Sequence, residues 1–185
     1  MDELTATLLA ARRGDDAALT SFVNQTRSAV WRFVAHLVDP RAADDLTQDT
    51  YLRAVRALPG YRGDSSARTW LLAIARRSCM DELRVRTRQR RRDARLRSLR
   101  TDDVMPDVAG ESDSAALLHS LDPDRRAAFV LTQLLSLPYA ETADILGVPV
   151  GTIRSRVARA RADLIAALEA SVAPEQADRT THSRL

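Results

Sequence analysis

Arginine and hydroxyl side chains recur at close spacing near the C-terminal end of the chain, in the segment PVGTIRSRVARAR. Arginine can bond a guanine edge with two hydrogen bonds or clamp a phosphate, and serine and threonine can bond either target. These residue types predict binding of a nucleic acid. The candidate side chains on this helix are Thr152, Arg154, Ser155, Arg159 and Arg161.

An apolar stripe on the same segment predicts which side of this helix is buried. It consists of residues at helical spacing, namely Ile153, Val157, Ala160, Leu164 and Leu168. At about 100° per residue these positions share one face, so the arginines and hydroxyls point elsewhere. Ala158 and Ala162, on the exposed side, leave room for a groove wall. An ordinary solvated helix rich in arginine is the alternative.

A short helix and a tight break precede this segment and favour the nucleic-acid interpretation. Pro138 suits the first turn of a helix, and Gly147 suits the left-handed residue that ends one. The second helix starts after Val148 and Pro149. Two helices joined by such a turn are typical of a helix-turn-helix, whose second helix enters the major groove.

The composition predicts an all-α protein without chemistry of its own. The chain has 185 residues, 45% of them hydrophobic, with few glycines and no continuous β-type alternation. A single cysteine, Cys79, and three scattered histidines predict neither a disulfide framework nor a metal site. No nucleophile–base pair, carboxylate dyad or phosphate-binding glycine loop is present. We therefore expect no enzyme activity and no cofactor.

Charge is distributed unevenly along the chain. Residues 84–100 carry nine arginines and one acid, and residues 101–113 carry five acids and no base. The arginine run favours a polyanionic partner over a merely solvated helix end. No apolar run reaches about 18 residues and no signal peptide is recognisable, so we expect a cytoplasmic protein with no membrane insertion.

Breaks in the helical pattern predict two small helical domains joined by a flexible acidic linker. Helices are expected over 3–13, from Asp15 or Asp16 to Val38, up to about Leu58, and from Ala67 into the arginine run. The predicted ranges are 1–95 for the first domain, 96–113 for the linker, 114–170 for the second domain and 171–185 for a polar tail without periodicity.

Three stretches in this order and spacing carry a family resemblance: DDLTQDTYLRAV, YRGDSSARTWLLAIAR and LLSLPYAETADILGVPVGTIRSRVARAR. Together they resemble bacterial RNA polymerase sigma factors of the sigma-70 family, in the extracytoplasmic-function (ECF) group, from about Leu19 to Leu168. The second and third stretches resemble the actinobacterial sigma C branch.

The resemblance implies that the first domain is sigma region 2, which binds the β′ coiled coil of core RNA polymerase and opens the −10 element. The polymerase-binding positions it implies are Asp44, Asp45, Gln48, Asp49 and Arg53. The positions that would capture a flipped base of the −10 non-template single strand are Tyr61, Arg62, Ser65, Ser66, Arg68, Thr69, Trp70 and Arg76. For Trp70, core packing is an equally good interpretation.

The second domain is, by the same resemblance, sigma region 4, which reads the −35 duplex and contacts the polymerase β flap. Arg154, Ser155 and Arg159 would then approach bases, with Thr152 and Arg161 near phosphates. The small residue Ala158 stands where some relatives have a bulky aromatic. Relatives thread the linker into the active-site and RNA-exit channel, and an anti-sigma factor is a common partner.

The function implied is promoter recognition, −10 melting and transcription initiation with core polymerase. One alternative is a helix-turn-helix regulator that binds DNA without being a polymerase subunit. Another is an interaction protein whose helical first half binds a helical partner. Run-off transcription with core polymerase separates the three.

Overall fold

The protein is described by a computed structural model that covers residues 1–97 and 113–181, and every regular element in those ranges is helical. The α-helices in these ranges are α1 Glu3–Arg12, α2 Asp16–Leu37, α3 Ala43–Ala57, α4 Ala67–Arg97, α5 Asp113–Ser120, α6 Pro123–Phe129, α7 Tyr139–Leu146 and α8 Val150–Thr181. Single 3-10 turns, Pro40–Ala42 and Leu58–Gly60, flank α3, and a π-helical turn, Val130–Leu134, extends α6. The predicted all-α fold with two helical domains is confirmed.

Carboxylate caps determine where the first two helices begin. The Asp2 side chain accepts from the backbone N–H of Thr5 at 2.8 Å, and Asp15 accepts from that of Ala18 at 2.9 Å. Each bond satisfies one of the N–H groups that a helix start leaves without a partner. Asp39 caps the following 3-10 turn, whose first residue is Pro40, and so the predicted break after α2 is confirmed.

The first domain, α1 to α4, is built around α2. This helix packs against α1, α3 and α4, and α3 also packs against α4. The largest fully buried side chains of this domain include Phe22, Phe33, Leu37, Leu71 and Leu72. They supply a core on which the exposed faces of α3 and α4 are held.

The second domain, α5 to α8, holds α8 against α6 and α7. Asp122 caps α6 by accepting from two backbone N–H groups, with Pro123 at the first helical position. Ile153, Val157 and Ala160 are buried as predicted. The prediction for the last residue of the stripe is wrong, because Leu168 is 48% exposed.

Two further predictions concern segments at the edge of the described residues. The linker predicted for 96–113 lies outside them except at its ends, since 96–97 belong to α4 and Asp113 begins α5. Of the tail predicted for 171–185, the backbone of 171–181 continues α8 as a helix and the remainder lies outside the described residues.

Gly147 forms the turn between α7 and α8 in the left-handed conformation, with φ of 65°. A Cβ there would meet no atom within 4 Å, so only the backbone opposes a side chain. We expect Gly147→Ala to lower the free energy of unfolding by about 1–2 kcal/mol. Gly151→Ala is the matched control, because Gly151 also has open space and has no positive φ. Urea unfolding of both variants checks this, and an equal loss would contradict it.

The two domains pack directly on each other. Helix α7 lies against α4, and α2 lies against α5, α6 and the π-helical turn. The buried apolar residues of both domains form one continuous cluster. Among the helices that the structure describes, none has both the length and the apolar character needed to cross a bilayer.

Candidate nucleic-acid interface

The outer face of α8 presents two arginines that bind nothing else in the described part of the chain. Arg154 and Arg159 are exposed, and neither makes a hydrogen bond or ion pair there. Ser155 is exposed between them and donates to the carbonyl of Thr152 at 2.9 Å. The outward direction predicted for these side chains is confirmed, and their contact with DNA stays a prediction.

The other two arginines of this stretch are bonded to the protein itself. Nη2 of Arg156 lies 2.9 Å from a carboxylate oxygen of Asp124, and Nη2 of Arg161 donates to the amide oxygen of Gln133 at 2.6 Å. An arginine that already bonds a side chain of the protein is less available to bind a phosphate. The structure therefore separates four arginines of similar sequence context into two that are unpaired within the described residues and two that are bonded to the protein.

The turn before α8 fixes how this face is presented. The backbone N–H of Val148 donates to the carbonyl of Ala143 at 3.1 Å, and that of Thr152 donates to Pro149 at 2.9 Å. The first bond closes α7 and the second opens α8, so the angle between the two helices is set by backbone geometry. The N-terminal turns of α8 are left exposed, as a helix that enters a groove requires.

The second group of predicted residues lies in the loop after α3 and at the start of α4. Tyr61 is only 3% exposed, its hydroxyl donates to the carbonyl of Ser65 at 2.7 Å, and burial raises its pKa. Its ring lies 5.0 Å from that of Trp70, with the planes tilted by 45°. Trp70 is half-buried, so both rings serve packing in this arrangement, as the core interpretation of Trp70 requires.

The polar residues of this loop differ in exposure. Arg62, Ser65 and Arg68 are exposed, and Arg62 pairs with Asp64 at 3.0 Å. Ser66 caps α4, because its hydroxyl accepts from the backbone N–H of Thr69 at 3.1 Å. Among these, Arg68 makes no hydrogen bond or ion pair with the described part of the chain.

Two of the predicted −10 residues lie at the contact between the domains. Thr69 is 6% exposed, and its hydroxyl donates to a carboxylate oxygen of Glu141 on α7 at 3.1 Å. Nη2 of Arg76 lies 3.1 Å from one oxygen of Asp124, whose other oxygen holds Arg156. Glu141 and Asp124 of the second domain therefore bind Thr69 and Arg76, two side chains that the family resemblance predicts to contact DNA.

Sequence reasoning missed Asp124 and Glu141. Both belong to short helices of the second domain, and the residues they hold are 48 and 72 positions away in the chain. No local pattern marks such a pair. Only the packing of α7 against α4 and of α6 beside α8 brings them together.

The predicted polymerase-binding face on α3 is polar and partly self-paired. Asp44, Asp45 and Gln48 are exposed, and Asp44 accepts a hydrogen bond from the indole N–H of Trp31 at 3.0 Å. Arg53 is bonded at 2.7 Å to Asp49 and at 2.9 Å to Asp81 of α4. The unpaired negative charge of this face therefore lies toward the start of α3.

Apolar side chains next to this face were also missed. Leu52 is 52% exposed and Val55 is 46% exposed, three positions apart on α3. Their spacing places them on one side of the helix, outside its buried stripe. That offset from the stripe was the available sequence signal. Exposed apolar residues beside charged ones are typical of a surface that binds another protein.

With its two helical domains and an exposed helix-turn-helix, the chain matches two known domain families. Residues 22–89 match Sigma-70 region 2, and residues 115–164 match Sigma-70 region 4. The protein belongs to the sigma-70 family of RNA polymerase sigma factors, in the ECF group.

The individual relatives agree with this assignment. The chain is 49% identical over 173 residues to the ECF RNA polymerase sigma factor SigC of Mycobacterium tuberculosis, covering 91% of this chain and 92% of that protein. It is 34% identical to the ECF RNA polymerase sigma factor SigE of Mycolicibacterium smegmatis, over 88% and 67% of the two chains. The predicted family and its sigma C resemblance are confirmed.

Two solved structures share the fold. CnrH, in complex with the cytosolic domain of CnrY, matches with a TM-score of 0.72 and 29% identity over 91% of this chain and 99% of that one. The sigma factor RpoE of Bartonella quintana, in complex with the anti-sigma factor NepR, matches with a TM-score of 0.62 and 27% identity over 82% and 96%.

Proposed function

We propose that this sigma factor binds core RNA polymerase through α3, reads the −35 duplex with α8, and captures the melted −10 non-template strand with loop 61–66 and the start of α4. Residues 1–95 would form the region 2 part and 114–170 the region 4 part, with 96–113 as the acidic linker inside the polymerase channel. The chain contributes binding energy for promoter opening, and the polymerase performs nucleotidyl transfer.

The exposed pair Arg154 and Arg159 on α8 is the observation that carries this proposal. Arginines near the start of a recognition helix bond base edges in the major groove. Their side chains have no partner within the described residues and so are available to DNA. Thr152, at the first turn, and Arg161 are placed to approach phosphates, although Arg161 must first leave Gln133.

The α3 face is the proposed contact with the β′ coiled coil. Asp44, Asp45 and Gln48 supply a polar rim, and Leu52 and Val55 supply exposed apolar area beside it. Charged groups speed association and select the partner, while apolar area stabilises the complex. We place the contact with the β flap on the second domain.

An anti-sigma factor is the proposed regulator. One structural relative is a sigma factor in complex with an anti-sigma factor. A partner that held both domains would cover α8 and the start of α4 together.

Run-off transcription tests the proposed function. Core polymerase is mixed with the purified chain on genomic fragments, and the transcripts are sequenced to find their start sites. Initiation at defined sites that depends on the added chain is the expected result. Tight duplex binding without association with core polymerase would instead indicate a helix-turn-helix regulator.

Thr69 cannot contact DNA while Glu141 covers it, and so the domains must separate at this point before the −10 strand binds. Glu141→Ala removes the acceptor of a charge-assisted hydrogen bond. We expect the closed arrangement to lose about 1 kcal/mol, which raises the affinity of the free protein for single-stranded −10 DNA about fivefold.

Asp144→Ala is the matched control for this prediction. Asp144 lies on the same helix, is exposed, and makes no interaction within the described residues. The Asp144→Ala substitution removes the same charge as Glu141→Ala and leaves the contact between the domains unchanged. Fluorescence anisotropy with a labelled oligonucleotide measures both variants. Equal gains for the two would mean that charge, and not the Thr69 contact, sets the affinity.

A further inference from the structure

Helix α1 lies against the loop that is proposed to bind the melted −10 strand. The helix covers residues 3–12, whereas the range that matches Sigma-70 region 2 begins at residue 22. It packs against α2 and α4. None of the site residues that the sequence predicts lies on α1, yet side chains of this helix contact loop 61–66 and the first residue of α4.

The first of these contacts completes the N-terminal cap of α4. Ala67 begins α4 and is fully buried, so its backbone N–H needs a partner within the protein. The hydroxyl of Ser66 accepts from the N–H of Thr69. The N–H of Ala67 donates instead to the hydroxyl of Thr5 on α1 at 3.0 Å, in a buried bond between residues 62 positions apart. Helix α1 therefore supplies a cap that the loop itself does not.

Asp2 orients the hydroxyl that makes this cap. One carboxylate oxygen of Asp2 accepts from the backbone N–H of Thr5 at 2.8 Å, and the other accepts from the Thr5 hydroxyl at 2.9 Å. Because the hydroxyl proton is directed to the carboxylate, the oxygen presents its lone pairs to the N–H of Ala67. Hydrogen bonds to a carboxylate are also stronger than those between neutral groups. The chain from Asp2 through Thr5 to Ala67 thus links the start of α1 to the start of α4.

Two more contacts hold the loop itself. The phenol of Tyr61, which donates to the carbonyl of Ser65 at 2.7 Å, also lies beside the hydroxyl of Thr5. Gly63 has a φ of 83°, and a Cβ built on it would lie 3.6 Å from a methyl carbon of Leu9. The loop is therefore held by α1 at its first residue, at its third residue and directly after its end.

We propose that Thr5 is a positioning residue for recognition of the −10 strand. It holds loop 61–66 and the start of α4 in the conformation that binds single-stranded DNA, and at 3% exposure it does so without touching the DNA. The inference rests on the proposed function, since it concerns how the same loop binds the same strand. It adds α1 to the parts of the chain that determine promoter affinity.

The size of the effect follows from the population of the binding conformation. When only a fraction of the molecules holds a loop in the arrangement that binds, the measured affinity falls by that fraction. Thr5→Val keeps the shape of the side chain and leaves the buried N–H of Ala67 without an acceptor. The free-energy cost of such a group corresponds to a factor of about 10 in the population of the native loop.

The test uses the holoenzyme, formed with core polymerase, and a promoter defined by transcript sequencing. Fluorescence anisotropy measures its affinity for two labelled probes, a non-template oligonucleotide that carries the −10 element and a duplex that carries the −35 element. Thr5→Val should weaken binding of the −10 oligonucleotide about 10-fold. The affinities for the −35 duplex and for core polymerase should stay unchanged.

Thr7→Val is the matched control on the same helix. Thr7 is exposed, and its hydroxyl donates to the carbonyl of Glu3 within α1 at 3.0 Å. This variant should bind both probes as the natural chain does. Thr5→Ser keeps the hydroxyl and should restore binding of the −10 oligonucleotide to within about twofold of the natural affinity. That rescue separates the hydrogen bond from the packing of the methyl group.

Asp2→Asn gives an independent measurement at an exposed residue. The amide keeps an acceptor for the N–H of Thr5 but replaces the second carboxylate oxygen by a group that cannot accept from the hydroxyl. We expect binding of the −10 oligonucleotide to weaken about threefold and binding of the −35 duplex to stay unchanged.

Two results would overturn the inference. One is an unchanged affinity for the −10 oligonucleotide in both Thr5→Val and Asp2→Asn. The other is a loss of core-polymerase binding in Thr5→Val as large as the loss of −10 binding, which would mean that Thr5 serves only the stability of the first domain. In either case the proposed function would stand if the natural chain still directs run-off transcription, whereas failure of the natural chain to bind core polymerase would defeat the proposed function itself.

Discussion

Replacing Arg126 by methionine is expected to lower the free energy of unfolding by about 3 kcal/mol. Arg126 is 6% exposed, and its guanidinium lies between the two domains. It donates to the carbonyl of Leu37 at 2.8 Å, to that of His119 at 2.7 Å and to that of Leu121 at 3.0 Å.

These acceptors explain why a cation can be buried here. The carbonyl of Leu37 is among the last of α2, and those of His119 and Leu121 lie at the end of α5. The C-terminal end of a helix has carbonyls without partners and a partial negative charge. Methionine fills similar space but donates nothing, so three carbonyls, two of them in buried hydrogen bonds, would lose a charged donor.

Arg125→Met is the matched control for the Arg126 variant. Arg125 is the preceding residue, and its ion pair with Asp163, 2.7 Å long, is substantially exposed. Such a pair contributes at most about 1 kcal/mol. Urea unfolding followed by circular dichroism compares the two. Equal losses would mean that Arg126 does not hold the domain contact together.

The Arg126→Met substitution should also change how the two domains unfold. Arg126 bonds both α2 of the first domain and the end of α5 in the second. Without it, the second domain is expected to unfold at lower denaturant than the first, giving two transitions in place of one. Tryptophan fluorescence reports the first domain alone, because Trp31 and Trp70 both lie there.

Local patterns predicted most helix ends because the groups that form them are close in sequence. Asp15 caps α2, and Gly147 ends α7 in the left-handed conformation. Each of these signals acts within four residues. The sigma-factor family could likewise be predicted, since its motifs are local.

The apolar periodicity of α8 predicts burial wrongly at the end of the stripe, where the helices that pack against α8 no longer cover it. Ile153, Val157 and Ala160 are buried because α6 and α7 cover them, and Leu164 is only half-buried. Leu168 repeats the same spacing but is 48% exposed. A pattern of apolar residues predicts which face would be buried, whereas burial itself depends on how far the neighbouring helices reach.

The division among the arginines could not be predicted. Arg154, Arg156, Arg159 and Arg161 are alike in type and close in sequence, yet two of them are bonded to Asp124 and Gln133. Those partners come from another part of the chain. Site assignments based on residue type alone therefore include cations that the fold has already paired.

Arg159→Ala is expected to lower the affinity of the holoenzyme for −35 DNA by about 1–3 kcal/mol, and to do so at one base pair only. The side chain is exposed on the outer face of α8 and has no partner within the described residues. Its loss from the free protein therefore removes no internal contact. The change in affinity then reports the contact with DNA directly.

Duplexes with each base pair of the −35 element replaced in turn provide the measurement. For the natural chain, replacement of one base pair should lower the binding affinity far more than replacement of any other. In Arg159→Ala, replacement of that base pair should no longer change the affinity. Arg13→Ala removes the same charge from an exposed residue near the end of α1 and is the matched control. It should leave the base preferences unchanged.

Arg154→Ala should act in a similar way but with a larger contribution from phosphate. Each phosphate contact that is lost makes the salt dependence of binding shallower by about one unit of slope. Titrations at several salt concentrations then separate base contact from phosphate contact for the two arginines. An equal loss on every DNA sequence after Arg159→Ala would show that this side chain binds the backbone, and base reading would then have to be reassigned to Arg154 and Ser155.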